Sequence, residues 1–120
     1  NFQLNDRFRL TLILMAQPEI TEMIGRLKPL DQRIAIRHHL KPLSQAEAAA
    51  YVAFRMQRAG AAQSPFDDEA IRLVWEHTGG VPRRLNTLCD LCLLEGSVHA
   101  AKVVDAPLVK RVLNGLGEAR

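Results

Sequence analysis

The start and stop signals of four successive helices lie between residue 44 and the end of the chain, and they constrain the fold more than any other feature. Ser44 and Glu47 have the spacing of a capping box, in which each side chain satisfies a free backbone N–H of the first turn. Pro82 suits a first helical turn, where its missing N–H would be unpaired in any case. The other signals are Gly60, Asp67 or Asp68, Gly79-Gly80 and Asp105. Apolar residues recur at helical spacing between them, so we predict a four-helix domain over residues 43–120.

A different pattern occupies residues 1–42. Leu10–Met15 is almost continuously apolar, which is typical of a strand buried on both faces of a parallel sheet. Residues from Glu19 to about Arg26 are predicted as a short helix, and Arg33–Leu40 as a second, more amphipathic strand. Two strands and one short helix are too few to close a sheet. We therefore predict the end of a larger α/β domain here, and a chain that is a piece of a longer protein.

The composition is that of an ordinary globular protein, with 48% apolar and 24% charged residues. No stretch approaches the roughly 20 apolar residues that a membrane-spanning helix needs, and no signal-peptide pattern opens the sequence. The net charge is +3, and the whole excess lies within residues 1–43. Such a charge can attract the phosphates of a nucleotide or a nucleic acid, or it can simply be a solvated surface.

Two patterns that can bind metals elsewhere are interpreted here as structural. Cys89 and Cys92 form one C-x-x-C, but they lie in a helical pattern and lack the two further ligands that a zinc site needs. We predict that both are small core residues. His38 and His39 are adjacent in a predicted strand, where neighbouring side chains point to opposite faces. No metal site is therefore predicted.

Arginines at a predicted helix start are the first candidates for binding chemistry. Arg83 and Arg84 follow Pro82, with Asn86 close behind. A helix N-terminus favours an anion through its free N–H groups and its dipole, and an arginine adds a fork of charged donors that matches phosphate oxygens. This pattern indicates phosphate binding. The alternative is an ordinary helix start with solvated arginines.

Three further candidates lie in residues 1–42. Arg33 and Arg37 lie at the entry of the second predicted strand and four residues on. An arginine at an oligomer interface can reach a neighbour's γ-phosphate, although arginines are also common at strand ends. Gln17 directly follows the first predicted strand, where a polar side chain can contact substrate or water. Turn formation ahead of Pro18 is the alternative for Gln17.

In this order the elements resemble those of one family. They are Leu14-Met15-Ala16-Gln17-Pro18, Gln32-Arg33-Ile34, Leu40-Lys41-Pro42-Leu43 and Gly80-Val81-Pro82-Arg83-Arg84-Leu85-Asn86. The chain resembles, over essentially its whole length, the AAA+ ATPases of the general secretion pathway protein A (ExeA-like) group, which are relatives of the transposition ATPases. The resemblance implies a mostly α fold. Residues 1–42 would be the C-terminal remnant of a P-loop α/β core, and residues 43–120 the four-helix lid.

The resemblance also implies a role for individual positions. Gln17 matches the sensor 1 position, which orients the attacking water near the γ-phosphate. Arg33 matches the arginine finger, offered to the nucleotide of the next subunit in a ring, with the arginine four residues on as the reserve candidate. Arg83 matches the sensor 2 arginine, which meets the phosphates in its own subunit, and Arg84 and Asn86 would flank it.

Two features of the family are missing from this sequence. It has no G-x-x-x-x-G-K-[ST] loop (Walker A) and no apolar strand ending in Asp-Glu (Walker B). ATP and Mg²⁺ are therefore expected in the intact parent protein, but neither is expected to bind this chain, which should not hydrolyse ATP. Ala16 also stands where relatives usually have Gly, a small change.

The resemblance further implies partners and a location. The parent is expected to form a ring, to assist assembly of the secretin pore with a membrane partner, and to lie in the cytoplasm or at the cytoplasmic face of the inner membrane. For this chain alone we expect self-association, with a segment-swapped dimer as one form. Two other functions stay open: the lid of a transposition or replication ATPase that binds nucleic acid, and a stand-alone helical interaction domain. The last is disfavoured because Leu10–Met15 would have no sheet to join.

Overall fold

Helices account for almost all the regular structure of the chain. The computed structural model describes residues 3–4, 7–8 and 10–118. The chain divides into two units, Asn1–Leu40 and Lys41–Arg120. The mostly helical architecture confirms that part of the predicted fold class.

The first unit contains short elements only. Strands β1 (Gln3–Leu4) and β2 (Arg7–Phe8) pair antiparallel, and helices α1 (Ile20–Arg26) and α2 (Lys28–Asp31) follow them. Helix α1 confirms the short helix that the sequence predicts at this place. It begins after the turn that Pro18 helps to form, in which the Gln17 carbonyl accepts a hydrogen bond from the Ile20 N–H at 3.1 Å.

The two strands predicted at Leu10–Met15 and Arg33–Leu40 do not form. Both segments lack regular structure, and most of their side chains are exposed, with Met15 and Ile36 each at 86%. A strand of a parallel sheet needs hydrogen-bonded neighbours, and the described residues supply none to either segment. The prediction of two strands is therefore wrong for this chain, and the described residues contain no P-loop core sheet.

The second unit consists of four helices in the predicted order. They are α3 (Gln45–Arg58), α4 (Asp68–Thr78), α5 (Pro82–Val98) and α6 (Ala106–Glu118). Helix α4 packs against each of the other three. The largest side chains that are fully buried come from three of these helices: Val74, Leu85, Cys92, Leu108 and Val109. This apolar core holds the helix starts of the second unit in place.

The caps form as the local sequence predicts. The Ser44 backbone N–H donates to Glu47 Oε2 at 2.8 Å, and the Ser44 hydroxyl accepts from the Glu47 N–H at 3.2 Å. Asp67 caps α4 by accepting from the Ala70 N–H at 2.7 Å. Gly79 ends α4 in the left-handed region, with φ of 63°. These contacts satisfy N–H groups that have no partner inside the helix.

A short bridge joins the loops ahead of α4 and α6. The Val104 N–H donates to the Pro65 carbonyl at 2.8 Å, and the Asp67 N–H donates to the Val104 carbonyl at 3.2 Å. Phe66 and Val104, the bridged residues, are both buried. The bridge ties the beginning of α4 to the segment that leads into α6.

Candidate functional site

The first turn of α5 is a positive helix end that lacks a compensating side chain. Val81 at the N-cap makes no side-chain hydrogen bond, and the first turn contains no acidic residue. Pro82 has no N–H, and the next N–H groups of a first turn have no acceptor inside the helix. The partial positive charge of the helix end therefore adds to the charges of Arg83 and Arg84.

Arg83 and Arg84 are adjacent, but the structure separates their roles. The Arg84 guanidinium donates to the His77 carbonyl at 3.3 Å, in the last turn of α4, where carbonyls lack intrahelical partners. The Arg83 side chain is exposed, and its guanidinium makes no hydrogen bond or ion pair with the residues that the structure describes. Arg84 is therefore engaged in joining two helices, whereas Arg83 is available to an anion from outside.

Asn86, which the sequence places beside Arg83, links α5 to α3. The Tyr51 hydroxyl donates to Asn86 Oδ1 at 2.8 Å, and this contact is partly buried. The Arg55 guanidinium lies 6.0 Å from the centroid of the Tyr51 ring, at the outer limit of a cation–π contact. Asn86 thus orients the first turns of α5 against α3.

The loop ahead of Arg83 is bound to the segment ahead of α3. The Leu43 N–H donates to the Gly80 carbonyl at 2.9 Å. The indole N–H of Trp75 donates to the Leu43 carbonyl, also at 2.9 Å. Gly80 is buried with φ of 75°, and a Cβ at this position would lie 2.0 Å from the Leu43 carbonyl oxygen. We call this arrangement of Leu43, Trp75 and Gly80 the Leu43 clasp.

The sequence did not predict the clasp. Trp75 packs against the core but is only half-buried, and its N–H donates to a backbone carbonyl. The sequence pattern assigns the glycine pair only to the end of α4. The available signal was the second glycine of the pair, because one residue in the left-handed region is enough to end a helix. A second glycine often marks a close approach of backbone.

In the first unit, too, one candidate arginine is paired and the other is not, among the residues that the structure describes. Arg37 pairs with the Asp31 carboxylate and also donates to the Asp31 carbonyl at 3.3 Å. The Arg33 side chain is exposed, and no partner for its guanidinium occurs within residues 10–118. The Gln17 side chain is exposed as well. The catalytic roles of Gln17 and Arg33 stay predictions.

Neither of two cavities in the second unit is lined by a candidate arginine. A cavity of about 160 Å³ lies between α3 and α5 beside the Tyr51–Asn86 contact. A wider one of about 410 Å³ lies along the outer face of α3, lined by alanines, two glutamines, Ser64 and Phe54. Ligand pockets usually enclose most of the ligand surface. Arg83 lines neither cavity, so a phosphate would reach its guanidinium from the open surface.

Both cysteines lie in the core, which confirms their predicted structural role. Cys89 and Cys92 are buried free thiols. Burial, with smaller contributions from neighbouring negative charge, raises the pKa of Cys89 to about 12 and that of Cys92 to about 11. Both thiols are therefore protonated and unreactive in the folded chain at neutral pH. No group of three or more metal-binding side chains occurs in the part of the chain that the structure describes.

The raised thiol pKa values predict a loss of stability at alkaline pH. An unfolded thiol has a pKa of about 8.5, so above that pH the unfolded chain releases protons that the folded chain retains. The thiol contribution to the free energy of unfolding should be constant below about pH 8.5 and fall by roughly 2 kcal/mol for each thiol by pH 10. Urea unfolding across this range measures it. A double variant, Cys89→Ala with Cys92→Ala, should show a shallower decline, and an unchanged slope would contradict the assignment.

The fold and the site define a four-helix domain that presents an arginine at the start of its third helix. Over 96 residues, 78% of its length, the chain is 38% identical to General secretion pathway protein A of Aeromonas hydrophila. The match confirms the predicted resemblance to the general secretion pathway protein A group. The chain spans 18% of the length of that relative.

Two other comparisons gave no match. No family model matches the chain, and no solved structure matches it. Among the helices of the described residues, none combines the length and apolar character needed to cross a membrane.

Proposed function

We propose that the chain is the nucleotide-sensing and oligomerising part of a AAA+ ATPase of the general secretion pathway protein A type. The observation that carries this proposal is Arg83, exposed at an uncompensated helix start and without a partner among the described residues. The similarity to a secretion-pathway protein supports the family. That relative is much longer than the matched stretch, so a longer parent has room for the phosphate loop and magnesium motif that this sequence lacks.

In this proposal the residues of the chain bind and orient, and the parent's other motifs hold the nucleotide. ATP with Mg²⁺ supplies the phosphoanhydride bond whose hydrolysis drives assembly work. Arg83 contacts the phosphates in its own subunit, where five N–H donors and the helix dipole favour the more highly charged triphosphate. Gln17 orients the attacking water, and Arg33 is offered to the nucleotide of the next subunit.

Self-association is the proposed use of the first unit. Large apolar side chains along Leu10–Met15 are exposed, including Leu10 at 76% and Ile13 at 78%. Exposed apolar runs with unpaired backbone groups favour pairing with another chain. We propose that in the parent this surface packs as part of the ATPase core of each subunit. The subunits form a ring, and the ring assists secretin assembly at the membrane.

The difference between Arg83 and Arg84 supplies the test. In the longer protein that contains this chain, Arg83→Ala should lower ATP hydrolysis about 10- to 100-fold, since a charge-assisted hydrogen bond contributes about 1.5–3 kcal/mol. The urea midpoint should stay unchanged, because the Arg83 guanidinium makes no hydrogen bond or ion pair with the described residues and the backbone bond from Thr87 is kept. Arg84→Ala should do the reverse, costing up to about 1 kcal/mol of stability while keeping activity within about twofold.

Hydrolysis rate and unfolding midpoint, measured on the same preparations, separate the two arginines. Equal ATPase rates for wild type and Arg83→Ala would overturn the proposed sensor. Equal losses in both variants would mean that the helix end, rather than one arginine, determines the rate.

A further inference from the structure

We infer that the Leu43 clasp is a positioning device. It fixes the start of α5, and with it Arg83, to residues 41–43 at the beginning of the second unit, which we call the joining segment. The division between the units falls between Leu40 and Lys41, so Leu43 is among the first residues of the second unit. Its consequence for nucleotide chemistry rests on the proposed function. The clasp itself can be tested without nucleotide.

Both backbone polar groups of Leu43 are engaged in hydrogen bonds. Its N–H donates to Gly80, and its carbonyl accepts from the Trp75 indole. Leu43 is half-buried and its side chain packs against the core of the second unit. Because its N–H, its carbonyl and its side chain are all in contact with the rest of the second unit, Leu43 cannot shift unless these contacts also shift.

The backbone path from Gly80 to Arg83 is short and stiff. The two intervening residues are Val81, whose N–H donates to the Thr78 carbonyl at 3.3 Å, and Pro82, whose ring fixes φ. The Val81 carbonyl then accepts from the Leu85 N–H at 2.9 Å. A displacement of Gly80 is therefore passed to the first turn of α5 rather than absorbed in a flexible loop.

The close approach of Leu43 to Gly80 and Trp75 is specific to these residue types. A side chain at Gly80 would meet backbone atoms of Leu43, which cannot rotate away. Trp75 alone among the apolar side chains brings an N–H donor to this position, and a half-buried indole N–H needs an acceptor. The Trp75 carbonyl also accepts a hydrogen bond from the Gly79 N–H at 2.9 Å, and this bond closes the end of α4. The end of α4, the glycine turn and the joining segment thus meet at one residue.

The consequence is a direct connection between the joining segment and the proposed sensor. Without the clasp, residues 41–43 would be connected to α5 only through α3 and the core. With it, any movement of the joining segment acts on the helix start that presents Arg83. Phosphate contact at Arg83 and movement of residues 41–43 are then coupled through Leu43, Trp75 and Gly80.

Amide hydrogen exchange on this chain, followed residue by residue, tests the clasp. Trp75→Phe keeps an aromatic ring but removes the N–H donor. We expect the Leu43 amide to exchange at least tenfold faster, and the Leu85 amide to accelerate with it, while amides of α6 keep their wild-type rates. Val109→Ala, a core variant in α6, is the control, and it should accelerate exchange in all four helices together. Wild-type rates at Leu43 and Leu85, or the same acceleration in every helix, would overturn the inference.

A second measurement needs no substitution and covers the case in which Trp75→Phe does not fold. In the wild-type chain at increasing urea, the Leu43 and Leu85 amides should open in one step, with the same exchange rate at each concentration. A Leu43 amide that exchanges at least tenfold faster than that of Leu85 would show that the two are not connected.

The longer protein then separates this inference from the proposed function. Trp75→Phe should raise the KM for ATP more than it lowers kcat, because it misplaces Arg83 without removing it. If exchange shows the clasp but ATPase activity is independent of Arg83, the clasp stands and the proposed function fails. If activity depends on Arg83 but exchange at Leu43 and Leu85 is unaffected by Trp75→Phe, the proposed function stands and the clasp fails.

Discussion

Gly80→Ala is expected to lower the free energy of unfolding by more than about 3 kcal/mol, from the sum of a left-handed backbone cost and a backbone clash. Gly80 has φ of 75°, which is unfavourable for alanine. Its new Cβ would lie 2.0 Å from the Leu43 oxygen and 2.9 Å from the Leu43 carbonyl carbon. These are backbone atoms, so the clasp must open and its two hydrogen bonds are lost. A typical domain is stable by only about 5–15 kcal/mol, so this is a large fraction of the total.

Gly79→Ala is the matched control for this prediction. Gly79 also has positive φ, 63°, but no atom lies within 4 Å of the position of its Cβ. Its substitution should therefore cost only the backbone term, about 1 kcal/mol. Urea unfolding followed by circular dichroism measures both variants. A difference of about 2 kcal/mol or more is expected between them, and equal costs would show that Leu43 does not approach Gly80 as described.

Arg33→Ala is expected to lower ATP hydrolysis by the longer protein about a thousandfold, the lower range for loss of an arginine finger. The Arg33 guanidinium has no partner among the described residues, so its removal should leave the fold intact. Arg37→Ala is the control. Arg37 is held by Asp31 in an exposed ion pair, and such pairs contribute about 0–1 kcal/mol. Its removal should leave the rate within about twofold.

Mixed rings extend this prediction. Because Arg33 is proposed to act on the neighbour's nucleotide, adding Arg33→Ala protein to wild type should reduce activity below the sum of the two preparations. Rates that simply add would mean that Arg33 acts within its own subunit or not at all. A large loss in Arg37→Ala and none in Arg33→Ala would transfer the finger to Arg37.

The helices of the second unit could be predicted because their signals are local. Ser44 with Glu47, Asp67 and Gly79 each act within one or two turns of the chain, and the structure contains each contact. The strand prediction failed for the opposite reason. The apolar run at Leu10–Met15 records a need for burial, but a strand forms only when a neighbouring strand supplies its hydrogen bonds.

The site could be predicted in part. The pattern at Pro82 located the arginines on a helix start, but it could not tell Arg83 from Arg84. That distinction depends on the end of α4 lying close to Arg84, which is a tertiary contact. The clasp joins residues 32 positions apart, and no local pattern at Trp75 identifies its acceptor. The link between Tyr51 and Asn86, 35 positions apart, was missed for the same reason.

Contact between Arg83 and nucleotide phosphates can be measured by an equilibrium titration of the longer protein. A fluorescent ATP analogue would be titrated into wild type, Arg83→Ala and Arg84→Ala, with the corresponding ADP analogue beside it. If Arg83 makes this contact, Arg83→Ala should weaken binding of the triphosphate about 10- to 100-fold and of the diphosphate less, with Arg84→Ala close to wild type. Identical triphosphate affinities for wild type and Arg83→Ala would contradict it.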